Sequence, residues 1–273
     1  MSDGNLSDNG RSDDRRQIEL EVEVVGTPEE VWEAIATGPG ISSWYVPHTV
    51  EEREGGTATA SFGEGPEMQI PGRVAAWEPP RRVVFDGGEG VAGLAFEWLV
   101  EARDGGSCIV RLVNTGFGDG AEWDDQFDAL EEGWRLFMLN LQLHCRFFAG
   151  QHAASMMPTG RWPTAPADAW ATLTSLLDIP AAPEVGSELT LGPGDRRIAG
   201  KVAAVGPTWL ALVLDEPLPG TALLAAEGND DATSVSVWAY LYGADAAGVA
   251  ARTRPGWQSW LDSHAGDQPA TSG

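Results

Sequence analysis

The chain has 273 residues, 42% of them hydrophobic, which is enough for a substantial core and for either two ordinary domains or one large one. Its 41 acidic and 17 basic residues give a formal net charge of -24, and this charge argues against nucleic acid and anionic membranes as partners, since both require clustered cations. Two cysteines without CxxC spacing are too few for a disulfide framework and favour a reduced, cytoplasmic location.

The first segments predict an arm, a strand and a helix. Residues 1–17 are polar and charged, which predicts a disordered arm and neither a signal peptide nor a membrane anchor. Ile18–Val25 alternates apolar and mostly acidic residues and predicts a half-buried strand. Thr27–Glu30 has a capping-box pattern with proline at the first helical position, so a helix starts there and ends at the Gly38–Gly40 run.

The stretch from Trp44 to Val113 predicts a meander of antiparallel strands. Its apolar runs are separated by Gly55-Gly56, by Gly87-Gly88 and by Asp104-Gly105-Gly106, which are turn sequences. One strand and one short helix therefore precede a run of hairpin-connected strands.

Glu122–Phe148 contains no proline and predicts a long amphipathic helix. Apolar residues recur every three or four positions, at Trp123, Phe127, Leu130, Trp134, Phe137, Leu141 and Phe148. In the second half the opposite side is apolar as well, at Leu136, Leu139, Leu143 and Phe147. We therefore expect the sheet to curl around this helix, and a further element to cover its other side.

Residues 150–166, which contain three prolines, predict a linker. Beyond it, three earlier motifs recur in the same order along the chain. Pro28-x-Glu30-x-Trp32 recurs as Pro166-x-Asp168-x-Trp170, Gly72–Ala76 as Gly200–Ala204, and Gly133-Trp134 as Gly256-Trp257. The matches favour an internal duplication with a shorter second copy, whose closing helix Pro255 should shorten. The predicted organisation is an arm (1–17), a first domain (18–149), a linker (150–166), a second domain (167–264) and a tail (265–273).

Several short motifs occur in a characteristic order within residues 18–148. They are Pro28-x-x-Val31-Trp32, Trp44-Tyr45-Val46-Pro47, Gly72-Arg73-Val74 with Glu78-Pro79-Pro80-Arg81, Asn114-Thr115-Gly116-Phe117, and Gly133-Trp134. Together they resemble the activator-of-Hsp90-ATPase-like branch of the START-like (SRPBCC) superfamily. The resemblance implies an α+β helix-grip fold, in which a curved antiparallel sheet wraps around a long C-terminal helix and leaves a hydrophobic cavity. The family often has a histidine where this chain has Asn114.

The predicted binding site is the space between that helix and the sheet. Aromatic side chains with a few polar tips suit a flat or lipid-like ligand. The candidate ligand-binding residues are Trp44, Tyr45, Trp77, Phe85, Trp98, Asn114, Phe117, Trp134, Phe137, Met138 and Leu141. For each of these residues taken singly, a place in the core is the favoured interpretation, and only the implied fold favours a cavity.

The sequence contains no recognisable catalytic, metal-binding or phosphate-binding motif. The four histidines lack HxxxH and HExxH spacing, GxSxG, GxGxxG and P-loop patterns are absent, and no cofactor is predicted. The acidic residues at the start of the long helix would complement its dipole, and they are Asp119, Glu122, Asp124 and Asp125.

The leading hypothesis is a cytoplasmic, bacterial-type protein without enzymatic activity that binds a small hydrophobic or aromatic molecule in its first domain. A second hypothesis is a cyclase- or hydrolase-like enzyme of the same superfamily, which would need a buried polar cluster around Asn114, Tyr45 or His48. A third, implied by the family name alone, is a co-chaperone that stimulates the Hsp90 ATPase. Neither nucleic acid nor a membrane is expected as a partner, and both a monomer and a homodimer are compatible with the sequence.

Overall fold

The computed structural model describes residues 17–63, 65–88, 91–116, 124–229 and 232–265. These residues form an α+β protein with two antiparallel sheets and five α-helices, which confirms the predicted α+β class. Nearly all of the predicted arm and tail lies outside the described residues, as do Phe117, Asp119, Glu122 and Trp123.

The first sheet has seven strands. Its elements in chain order are β1 (Ile18–Val25), α1 (Pro28–Ala36), α2 (Gly38–Ile41), β2 (His48–Val50), β3 (Thr57–Ser61), β4 (Gln69–Glu78), β5 (Arg82–Gly87), β6 (Val91–Arg103) and β7 (Ser107–Thr115). The strand order is β1-β7-β6-β5-β4-β3-β2, so β2 to β7 form the predicted meander and β1 lies beside its last strand. Ile18 at the start of β1 is opposite Asn114 near the end of β7.

Local sequence determines the first two elements. In β1 the side chains of Ile18, Leu20 and Val24 are buried while the glutamates between them are exposed, as the alternation predicts. At the start of α1, the Thr27 hydroxyl accepts a hydrogen bond from the Glu30 backbone N–H at 3.3 Å. The Thr27 backbone N–H donates to the Glu30 carboxylate at 2.8 Å. The predicted capping box is therefore confirmed.

The second sheet is built from the C-terminal half of the chain. Its elements are β8 (Ala153–Met156), β9 (Thr159–Trp162), α4 (Pro166–Leu176), β10 (Glu188–Leu191), β11 (Ile198–Val205), β12 (Trp209–Glu216), β13 (Gly220–Asn229), β14 (Ala232–Tyr242) and α5 (Ala246–Ser263). The order is β10-β11-β12-β13-β14-β8, and β9 also pairs with β14. As in the first sheet, the earliest strands in sequence lie beside the last one.

Helix α3 (Asp124–Phe147) packs against both sheets. One side buries Trp134, Met138 and Leu141 in the core of the first sheet. The other side buries Leu136 and Leu143, together with residues of β12, β13 and β14, in a third cluster between the two sheets. The second sheet is thus the element that covers the apolar outer side of this helix. Two predicted apolar positions remain in solvent, since Leu130 is 40% exposed and Phe147 is 46% exposed.

The structure corrects the predicted linker over residues 150–166. Strands β8 and β9 occupy most of this segment and pair with β14. Pro158 lies in the gap between the two strands, where its carbonyl accepts a hydrogen bond from the Val237 N–H at 3.1 Å. At this position the sheet needs a backbone carbonyl as hydrogen-bond acceptor and no N–H donor. Pro158, which lacks a backbone N–H, therefore does not prevent β8 and β9 from pairing with β14.

The closing helix of the second half is also longer than predicted. α5 has 18 residues and continues through Pro255. Proline removes one backbone hydrogen bond from the helix. The fully buried side chains of Trp257 and Leu261, beyond the proline, hold the second half of the helix in the core.

Candidate functional site

A cavity of about 130 Å³ lies between strands β3 to β6, the loop after α2, and α3. One ordered water needs only ~10–15 Å³ measured in this way, so the space suits a small organic molecule. The Trp, Tyr and Phe side chains that line it are Trp44, Tyr45, Phe62, Phe85, Phe96, Trp98 and Trp134.

Trp134 of α3 lies at the centre of the aromatic wall. Its ring centroid is 4.9 Å from that of Tyr45, 5.7 Å from that of Phe96 and 5.7 Å from that of Trp98. Phe96 and Trp98 are two residues apart on β6, so both point to the same side of the sheet. Trp44 is fixed by a 2.8 Å hydrogen bond from its indole N–H to the Ala34 carbonyl. These rings come from three separate parts of the chain, and Phe62 after β3 and Phe85 of β5 add two more.

Five of the predicted site residues line this cavity, namely Trp44, Tyr45, Phe85, Trp98 and Trp134. The others described are placed around it. Trp77 packs edge-on against Trp32, Met138 and Leu141 lie in the core of the first sheet, Asn114 is buried on β7, and Phe137 packs between Tyr45 and Trp238. Phe117 lies outside the described residues.

Sequence reasoning missed several lining residues. Phe96, Ala58, Ala60 and the exposed side chains of Phe62 and Ile70 line the cavity as well. His48 also lines it, and the sequence had named this residue only for the enzymatic hypothesis. Phe96 could have been found, because it shares a strand face with Trp98. Ala58 and Ala60 leave the cavity open because their side chains are small, and no pattern in the sequence around them indicates this role.

The polar groups of the cavity are mainly neutral. The Val46 carbonyl can only accept, so the 2.7 Å bond from the His48 ring places a proton on Nδ1 and leaves Nε2 as an acceptor. Burial lowers the pKa of His48 and raises the pKa of the Tyr45 hydroxyl, so both are uncharged at neutral pH. Asp86 is held ionised by Arg73 at 2.6 Å, whose hydrogen bond is the main cause of its lowered pKa.

Two buried polar atoms near the site have no hydrogen-bond partner among the described residues. They are the indole nitrogen of Trp134 and the side-chain oxygen of Asn114. The Asn114 amide nitrogen donates to the Ala95 carbonyl at 3.1 Å, which orients the side chain. A buried donor without an acceptor costs about 1–3 kcal/mol, so a ligand oxygen that reached Trp134 would bind favourably.

Within the described ranges, no three His, Cys, Asp or Glu side chains are grouped so that they could hold a metal ion. In the same part of the chain, no helix has the length and apolar character needed to cross a membrane. Cys108 and Cys145 are both buried and unpaired.

Acidification is expected to destabilise the contact between α3 and the second sheet through His144. This side chain is 4% exposed, and burial, assisted by His152, lowers its pKa to about 4. The unfolded chain, with a pKa near 6.5, takes up the proton first, so stability is lost as the pH falls from about 6.5 to about 4. Between about pH 7 and pH 5 we expect a loss of about 2 kcal/mol from this group.

Urea denaturation of the wild type and of His144→Gln at several pH values checks this. Carboxylates contribute equally to the pH dependence of both proteins. The difference between the two proteins in how the free energy of unfolding changes with pH therefore gives the contribution of His144. Equal pH dependence in the two proteins would contradict the assignment.

Comparison with known proteins gives three findings. Residues 15–139 match the family model described as polyketide cyclase / dehydrase and lipid transport. No curated protein matches the chain. Similar solved structures include the Aha1 dimer from Colwellia psychrerythraea (17% identity, 48% of this chain and 97% of that chain, TM-score 0.40). Another is the di-domain ARO/CYC BexL from the BE-7585A biosynthetic pathway (14% identity, 93% of this chain and 100% of that chain, TM-score 0.43). A third is BH1534 of Bacillus halodurans (20% identity, 48% of this chain and 96% of that chain, TM-score 0.41).

The family match covers the same part of the chain as the motifs found in the sequence, and it includes the strands that form the cavity and Trp134. The resemblance to the START-like superfamily inferred from those motifs is thereby confirmed. Residues 15–139 are thus similar to the polyketide cyclase / dehydrase and lipid transport family of the START-like (SRPBCC) superfamily.

Proposed function

We propose that the chain binds a small hydrophobic or aromatic molecule in the cavity beside Trp134, within a helix-grip domain of residues 18–149. The observation that carries the proposal is a cavity of about 130 Å³ lined by seven Trp, Tyr and Phe side chains. A ligand that buries roughly 250 Å² of apolar surface there gains about 6 kcal/mol before the costs of binding, at ~25 cal/mol per Å². Those costs reduce the affinity towards the micromolar range.

The polar groups of the cavity support a neutral ligand that carries oxygen. The Tyr45 hydroxyl and the Trp134 indole can donate to a carbonyl, and the His48 Nε2 can accept from a hydroxyl. A carboxylate would instead meet ionised Asp86 in a protein of net charge -24. We therefore expect neutral aromatic ketones and phenols to bind better than fatty acids or aromatic acids.

We also infer that the second sheet and its helices are a shortened second copy of the first domain, beginning near Ala153. Gly72 and Gly200 support this, because a side chain at either position would collide with the neighbouring strand. A Cβ would lie 2.7 Å from the Asp86 carbonyl oxygen at the first and 2.1 Å from the Val213 carbonyl oxygen at the second. The strand register shifts two residues after each glycine.

A thermal-shift panel tests the ligand site. We expect 2-acetylnaphthalene and related neutral aromatics to raise the melting temperature by roughly 5 °C at a hundredfold excess over Kd. Naphthalene-2-carboxylate, which has the same ring and a charge, serves as the matched control and should give a smaller shift. If lipids, polyketides and aromatic compounds all leave the melting temperature unchanged, the proposed function is wrong.

An enzymatic role is the second candidate, favoured by the placement of Tyr45 and His48 in the same cavity with their ring centroids 5.5 Å apart. A protonated hydroxyl beside an unprotonated imidazole nitrogen is an acid and base pair suited to enolisation or dehydration of a bound ketone. Product analysis of every compound that binds separates the two candidates. Conversion that is lost in Tyr45→Phe while binding persists would favour the enzyme.

A further inference from the structure

We propose that the second sheet positions the Trp44–Tyr45 wall of the cavity, with Tyr242 of β14 as the positioning residue. The inference rests on the proposed ligand site in that cavity and adds how the site is held. Trp44 and Tyr45 lie on a loop between α2, a helix of four residues, and β2, a strand of three residues. The Trp44 and Tyr45 backbone N–H groups donate to the Ile41 carbonyl at 3.2 and 2.9 Å, which closes the loop on α2. Contacts from outside the loop then fix it against the rest of the protein.

Two of these contacts come from the second sheet and meet at Ser43, the residue before Trp44. The Tyr242 hydroxyl donates to the Ser43 carbonyl at 2.8 Å. The Ala153 backbone N–H, at the start of β8, donates to the Ser43 hydroxyl at 2.9 Å. Ser43 and Tyr242 are both buried, so water does not compete readily for either bond.

Tyr242 is itself held in place from two sides. Its ring stacks on Phe148 with centroids 4.0 Å apart and planes only 6° from parallel. Its hydroxyl donates to Ser43, so it accepts from the Nδ1–H of His144 at 2.8 Å. The hydroxyl therefore has a defined position from which to hold the loop.

A second line of contacts reaches the same wall through α3. Asn140 donates to the Trp44 carbonyl at 2.8 Å. The Phe137 ring meets the Tyr45 ring edge-on at 4.5 Å and stacks on Trp238 of β14 at 5.6 Å. The loop is thus fixed by β14 directly and by β14 acting through α3. No residue of the second sheet lines the cavity among those described, so its effect on binding must pass through these contacts.

Two neighbouring tyrosines of β14 provide a matched test. Tyr240 and Tyr242 are both buried and are two residues apart, but the Tyr240 hydroxyl has no hydrogen-bond partner among the described residues. We expect Tyr242→Phe to weaken binding of 2-acetylnaphthalene about five- to tenfold, the equivalent of one buried hydrogen bond. Tyr240→Phe should leave the affinity within about twofold.

Amide hydrogen exchange supplies a readout that needs no ligand. Tyr242→Phe should speed exchange in residues 43–46 and leave β5, β6 and β7 unchanged, whereas Tyr240→Phe should change neither region. Equal effects of the two substitutions, or no change in residues 43–46 with Tyr242→Phe, would overturn the inference.

The outcomes also separate this inference from the proposed function. A wild-type protein that binds no probe refutes the ligand site, while hydrogen exchange still decides whether Tyr242 positions the loop. If Tyr242→Phe does not fold, Ser43→Ala removes the hydroxyl that accepts from the Ala153 N–H and donates to the Pro39 carbonyl, and the same two measurements apply.

Discussion

Replacing Gly200 by alanine is expected to destabilise the protein by about 3 kcal/mol, because the added methyl group has no room. Gly200 lies on β11, where a Cβ would be 2.1 Å from the Val213 carbonyl oxygen and 2.7 Å from the Leu214 Cα. Both obstacles are backbone atoms of β12 and cannot turn aside as a flexible side chain would. The strands would have to separate at a position where their register already shifts.

Gly133→Ala is the matched control, and it should raise the free energy of unfolding where Gly200→Ala lowers it. Gly133 lies in the middle of α3, where a Cβ would meet only the Glu227 carboxylate at an ordinary 3.7 Å. Alanine favours the helix by about 1 kcal/mol over glycine, so this variant should be more stable. Urea denaturation measures both effects, and a Gly200→Ala protein as stable as the wild type would contradict the close strand approach. Gly72→Ala should destabilise too, if the two positions are equivalent.

Elements defined by neighbouring residues could be predicted from the sequence. The β1 alternation, the capping box of α1 and the hairpin turns each depend on residues within a few positions. The linker prediction failed because β8 and β9 form strands only by pairing with β14, about eighty residues later. The local composition of that segment, with its prolines and small residues, contains no information about a partner so distant in sequence.

In the candidate site too, features that depend on nearby residues could be predicted and features that depend on distant residues could not. The aromatic side of β6 and the Trp44-Tyr45 motif pointed to part of the wall, and Trp134 followed from the helix pattern. On α3, however, Met138 and Leu141 follow Trp134 on the same side of the helix, and farther along it they face the core of the first sheet instead of the cavity. Which part of an apolar stripe borders an open space depends on small residues across from it, here Ala58 and Ala60.

Replacing Ala60 by phenylalanine is expected to lower the affinity for any ligand of the cavity about a hundredfold while the protein remains folded. Ala60 lies on β3 and lines the cavity. A phenylalanine ring there would occupy space that a ligand requires, next to Tyr45 and Phe62. Because the ring enters open space instead of a packed core, it buries apolar surface without forcing other side chains aside. The melting temperature should therefore stay the same or rise.

Thr57→Phe places the same ring on the same strand at an exposed position outside the cavity, and it should leave the affinity unchanged. Isothermal titration with 2-acetylnaphthalene gives the affinities, and circular dichroism gives the melting temperatures. The combination of lost binding with kept stability is specific to a filled binding cavity, since a damaged core would lose both. Undiminished binding by Ala60→Phe would place the ligand elsewhere on the protein, because a second ring and a ligand cannot occupy about 130 Å³ together.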